Sequence, residues 1–192
     1  LQNSAEDDIT IEDNLFDGVS DGSGQGTGLN ISKTGDTIDV DTISGNSFDG
    51  NAEHFNLSKT GYTDSEITTL IDNNNFVNKV YLSSNEQSSD FADYESDVLY
   101  GTVYGAVAVA DASDEFVNVG EGTYEESGIT TQTSGVTITA MDRDSKPVIT
   151  SDADDDILTI SNNNIEVDGL TFNAQKDNAY SDIDVSGANS VT

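Results

Sequence analysis

Gly120-x-Gly122 directly follows the apolar run Phe116-Val-Asn-Val119, in the order that opens many phosphate-binding loops. Such a loop cradles an anion with backbone N–H groups, completed by a lysine and a hydroxyl side chain. Here the lysine and the Ser/Thr are missing at the required positions, and no strongly helical segment follows. Glu121, Glu125 and Glu126 would repel a phosphate. The stretch FVNVGEGTYEE (residues 116–126) is therefore read as a tight corner after a strand, with Tyr124 packing its ring inward or against a neighbouring helix.

Other residue types in this chain also suit particular chemistry. Asp152, Asp154, Asp155 and Asp156, with Asp142 and Asp144 nearby, are candidate calcium ligands, because that cation takes hard oxygen donors. Their spacing is not that of an EF-hand, and solvated corner residues are the competing reading. Glycoside hydrolysis needs two carboxylates facing each other across a sugar. With 37 acidic residues no pair stands out, and no catalytic residue is assigned. His54 is the single histidine and is expected at the surface or in packing. Asn30-Ile-Ser32 and Asn56-Leu-Ser58 are N-glycosylation sequons, making Asn30 and Asn56 candidate modification sites.

Those residues sit in a chain of 192 residues with 37 acidic and 6 basic side chains, a net charge of −31. Self-repulsion of that size is tolerated best where salt screens it. Only 34% of residues are hydrophobic, a composition shared by disordered chains, but the second half carries repeated β-branched runs that such chains lack. A folded protein adapted to molar salt is the expectation. Nucleic acid is excluded as a partner, since phosphate contacts need Lys and Arg. There is no Cys, hence no disulfide or thiolate metal site. No apolar run reaches the roughly 20 residues that span a bilayer, so no membrane insertion is expected. The chain starts at Leu1 without a signal-peptide pattern and is expected to be a piece of a longer protein.

The elements that would position these residues fall into three regions. Residues 1–28 read as an extended Gly-rich arm or linker. Residues 29–100 hold repeated β-units and a short helix. LNISKTG (29–35) returns as FNLSKTG (55–61), and NLFDG (14–18) returns as NSFDG (46–50). Two copies of one unit are too few to bury a core, so help from another chain is expected. Thr63 is a plausible N-cap with Glu66 three residues on, and Ile67, Leu70 and Ile71 share a helix face. Residues 101–192 begin with a second short helix, its stripe formed by Val103, Ala106, Val107 and Ala110. Short strands broken by Gly, Asn and Asp follow. SGVTI (134–138), NNIEV (163–167) and NSVT (189–192) are equivalents, with PVIT, DILTI, GLTF and DIDV between them. Asn162 to Asn164 suits a corner, because Asn tolerates left-handed backbone angles.

VGEGTYEE (119–126) and VDGLTF (167–172) resemble the opening coils of right-handed parallel β-helix proteins of the pectate-lyase-like superfamily, over residues 102–192. The resemblance implies a mainly β fold: a right-handed parallel β-helix preceded by small repeated β-units and short helices, with residues 102–112 plugging the first coil. It implies activity far less strongly. Lyases of this fold use a basic residue near bound calcium. Arg143, Lys146 and Lys176 are the basic residues available in the solenoid part, and none lies in such a motif. The Asn-Thr-Asp and Gly-His-Gly elements of related hydrolases are absent, so lyase or hydrolase residues are expected only beyond Thr192.

The order of arm, β-units, helix and β-helix is similar to that of tail spikes and tail fibres of tailed viruses. Together with the charge, this suggests a tail spike or fibre of a virus of halophilic archaea, located in the virion. The implied partners are two further copies in a homotrimer, tail or baseplate proteins, and a host surface glycan or S-layer. The alternatives are a secreted haloarchaeal β-helix protein that binds or degrades polysaccharide, and a cell-surface repeat protein.

Overall fold

The computed structural model describes residues 10–18, 26–31, 42–57, 64–83, 98–174 and 181–192. Within them the chain is mainly β, with two short helices. The strands come in successive tiers whose equivalent members pair in parallel. β1 (Ile11–Glu12), β2 (Leu15–Asp17) and β3 (Thr27–Ile31) form the first tier. β4 (Ile43–Ser44), β5 (Ser47–Asp49) and β6 (Glu53–Leu57) form the second, each pairing with its counterpart. The sequence echoes are thus partners of one another: Phe16 lies opposite Phe48, and Leu29 opposite Phe55. Residues 11–12 and 15–17, expected to be arm, are strands of this first tier.

α1 (Asp64–Asp72) buries Ile67 and Leu70 on the face its spacing indicates. The N-cap expected at Thr63 lies outside the described residues. β7 (Asn75–Phe76) then adds a third strand beside β5. β8 (Val80–Ser83) and β9 (Val98–Tyr100) run antiparallel to their neighbours and join the two halves of the chain. Leu29, Ile31, Ile43, Phe48, Phe55 and Phe76 share one core with Ile67, Leu70, Tyr81 and Leu99. Much of the help that two β-units need therefore comes from the same chain.

α2 (Val103–Val109) is too short to persist alone, because helices under about 12 residues are marginal in water. Burial holds it: Val103, Ala106, Val107 and Ala110, the predicted stripe, join the core of the strands that follow. Those strands form three more tiers. They are β10 (Phe116–Val119), β11 (Thr123–Glu125) and β12 (Ile129–Thr130); β13 (Thr137–Ala140), β14 (Val148–Ser151) and β15 (Leu158–Ile160); and β16 (Glu166–Asp168), β17 (Thr171–Ala174) and β18 (Ile183–Val185). Each strand pairs in parallel with its counterpart one tier on, giving three sheets.

Register places like on like: Val117, Ile138 and Val167 align, as do Tyr124, Ile149 and Phe172. Stacking buries these rows, so each tier covers the apolar face of the one before. Ile165 bridges Val191, the spacing expected of NNIEV and NSVT. Asn164 takes the left-handed corner at φ 57°. The largest sheet is mixed: it runs β16-β13-β10 in parallel, then through antiparallel β8 and β9 to β6 and β3.

Candidate functional site

The corner after β10 is built from backbone contacts. A Cβ on Gly120 would sit 2.9 Å from the Lys79 carbonyl oxygen, and Gly122 has φ 148°, so both positions favour glycine. Gly120 N–H donates to Lys79 O at 2.8 Å. Tyr124 is fully buried, and its hydroxyl lies 3.0 Å from Gly120 O and 3.1 Å from Lys79 O while accepting from Lys79 N–H. Burial raises this phenol well above its ordinary range, so it remains a donor at any physiological pH. Tyr124→Phe is expected to cost about 1–2 kcal/mol, measured by urea unfolding in molar KCl, with tier pairing unchanged. A loss too small to measure would mean that backbone bonds alone hold the corner.

His54 grips the same segment from the other side. Its Nε2–H donates to Asn78 O at 2.9 Å and Val77 O at 3.0 Å. Carbonyls only accept, which assigns the proton to Nε2 and leaves Nδ1, without a partner, as a buried lone pair. Burial lowers its pKa against the pull of those two carbonyls and of Asp49, so the ring is neutral at pH 7. His54 is a packing residue, wholly buried against the Phe48 and Phe76 rings, and not a surface one. Gly101 passes close above it: a Cβ there would come within 2.7 Å of Nε2.

Glu126, read from the sequence as a repelling acid, is 6% exposed and serves α2. Its Oε1 accepts from Val103 N–H at 2.9 Å and its Oε2 from Tyr104 N–H at 2.7 Å. Thr102 Oγ1 accepts from Gly105 N–H at 3.0 Å, completing the cap. Burial pushes the Glu126 carboxyl up to about 7, against the two N–H groups that favour its charge. The corner motif thus ties the third tier to both the segment before it and the helix that covers it.

The first tiers carry a second polar device that the sequence reading saw only in part. Asn14, Asn46 and Asn74 stack, each two residues before an aromatic: Phe16, Phe48 and Phe76. Asn46 Nδ2 and backbone N–H each lie 2.9 Å from Asn74 Oδ1. Asn14 N–H and Nδ2 in turn donate to Asn46 Oδ1 at 3.0 and 3.1 Å. Asn46 Nδ2 also reaches Ile11 O at 2.8 Å, one tier back. The rings stack at 4.6 Å and 4.8 Å between centroids, tilted by 8° and 15°.

Asp152, Asp154 and Asp155 are exposed at the corner between β14 and β15, with Asp156 half-buried. Asp156 Oδ1 accepts from Ser181 N–H and Asp155 Oδ1 from Asp156 N–H, which are uses of corner carboxylates. Among the described residues no three His, Cys, Asp or Glu side chains come together to hold a metal ion. Asn30 and Asn56 lie opposite each other on β3 and β6, Asn30 the more exposed. Arg143 pairs with Asp168 at the surface, at 2.5 Å.

Two concave surfaces lie among the described residues. A groove of about 270 Å³ beside α2 is lined by Thr27, Glu53, Tyr100, Tyr104 and Val109, and burial, with Glu53 and Glu115 near, pushes the Tyr100 phenol up to about 12. A cavity of about 340 Å³ opens on the last tier between Leu170, Phe172, Ile183, Val185 and Val191. No helix among the described residues is long and apolar enough to cross a membrane. Comparison of the chain with protein-family models, with curated proteins and with solved structures finds no match.

Proposed function

We propose that the chain is a structural and adhesion protein of a virion, the part of a tail spike or fibre that anchors a host-recognition β-helix to the tail. In this reading the three tiers after α2 are coils of a right-handed parallel β-helix, α2 is their plug, and the tiers before it belong to the attachment region. The observation that carries it is the unbroken parallel register of three strand families, covered at one end by α2 and uncovered at the other. Ile183, Val185 and Val191 at the uncovered end suit a further coil. The buried polar groups described above all serve backbone joints, which suits a scaffold.

The charge supports a setting of molar salt, in which the Debye length shrinks to about 3 Å. Asp17 lies directly opposite Asp49, a like-charge pair that is unfavourable in dilute buffer. The chain is then a homotrimer that meets tail proteins at one end and a surface glycan or S-layer through parts beyond it. Sedimentation in molar KCl is expected to give a trimer, and far-UV circular dichroism to lose its β signal on dilution into low salt. A salt-indifferent monomer that cleaves uronic-acid polymers would replace this reading with that of a secreted polysaccharide-active protein.

A further inference from the structure

The ladder of asparagines and phenylalanines follows a rule that its first rung leaves unfinished. Asn74 Oδ1 accepts from Asn46, and Asn46 Oδ1 accepts from Asn14. Nothing among the described residues donates to Asn14 Oδ1. The rings repeat the pattern. Phe48 is sandwiched between Phe16 and Phe76, whereas Phe16 is half-buried and, among the described residues, stacks on one ring. β1, β2 and β3 each pair with a second-tier strand and, among the described residues, with nothing on their other edge. Leu15, 66% exposed, lies on the same edge strand. A parallel edge strand whose ring face and amide oxygen have no partner among the described residues is a template for one more strand of the same kind.

We infer that this edge binds a strand of another protein carrying Asn two positions before an aromatic residue, with Lys or Arg flanking it. The Asn supplies the backbone N–H and amide donors that Asn14 Oδ1 accepts, and the aromatic ring covers Phe16. The basic flanks follow from the exposed acids of the edge, Glu12, Asp13 and Asp17. A second copy of this chain is the poorer occupant: its β2 and β5 bring Asp17 or Asp49 against these acids, and its Phe76 already turns its other side to His54 and Phe55. Within one chain Asp17 already tolerates Asp49, but there the covalent connection supplies the proximity. The inference rests on the anchoring role proposed for these tiers and gives that anchor a partner chemistry.

The probe is the peptide KTISGNSFKG, which is the second-tier strand with lysines at its flanks, added to the ¹⁵N-labelled chain in molar KCl. Saturable shifts are expected at the amides of Asn14 to Asp17, with binding weakened at least about tenfold for KTISGASAKG. Phe16→Leu should reduce the preference between the two peptides, leaving the share that Asn14 Oδ1 provides, while keeping the His54 ring resonances in place, a sign that the tiers stay folded. Equal binding of both peptides would reduce the contact to charge and overturn the inference. So would the absence of shifts at residues 14–17 under saturating peptide. Loss of the trimer would refute the anchoring role while leaving these shifts unaffected, so the two failures can be told apart.

Discussion

Phe48→Ala is expected to lower the unfolding free energy by about 3–5 kcal/mol, the range for deleting a buried aromatic ring. The ring is 1% exposed and stacked on both faces, and each aromatic pair adds about 0.5–1.5 kcal/mol beyond its burial. Among the described residues, Phe16 stacks on one ring and Phe76 turns its other side to His54 and Phe55, so neither has this position. Phe16→Ala should therefore cost distinctly less. Urea titration in molar KCl, followed by circular dichroism, compares the two. Equal losses would show that burial alone matters and that the stack adds nothing.

The pH dependence of stability should carry the signature of Glu126. Its carboxyl is raised from the ordinary 4.5 to about 7 in the folded chain, by burial. Between these values the folded state holds the proton and the unfolded state has released it, so stability falls as pH rises through this window. A difference of that size corresponds to about 3 kcal/mol, present in full below pH 4.5 and lost by about pH 7. Glu126→Gln should be less stable than the parent at acidic pH, since one of its two acceptor oxygens is gone, and should lack the slope. The measurement belongs in molar salt, where exposed carboxylates are screened and the buried one is not. Parallel stability curves for parent and variant from pH 4 to 8 would refute the assignment.

Much of the second half was legible from sequence because its signals are local. The stripe of α2 and the corner at Gly120 to Tyr124 rest on residues a few positions apart, and the equivalence of SGVTI and NNIEV rests on one short pattern repeated 29 residues on. The structure pairs Thr137 with Glu166 and buries the stripe accordingly. What escaped was set by distant partners. Glu126 reads as a surface acid because the N–H groups it serves lie 22 and 23 residues earlier, on a helix it does not touch in sequence. Asn74-x-Phe76, the third rung of the ladder, follows α1 directly within three consecutive asparagines that carry no apolar rhythm, so it gives no strand signal. The strands within 10–18 were masked by Gly-rich neighbours. Their partners are 32 residues away.

The mixed seven-stranded sheet has a mechanical consequence. From β3 to β16 its strands are joined by hydrogen bonds at every step, through the antiparallel pairs that link the first tiers to the last. Six spacings of about 4.8 Å make a continuous path of about 29 Å. A pull applied across β3 and β16 is carried through this sheet, in which the β8–β9 step rests on one residue pair, Val80 with Tyr100. The described sheet should resist such a pull until a strand pair gives way, and the short β8–β9 pairing is the step expected to yield first.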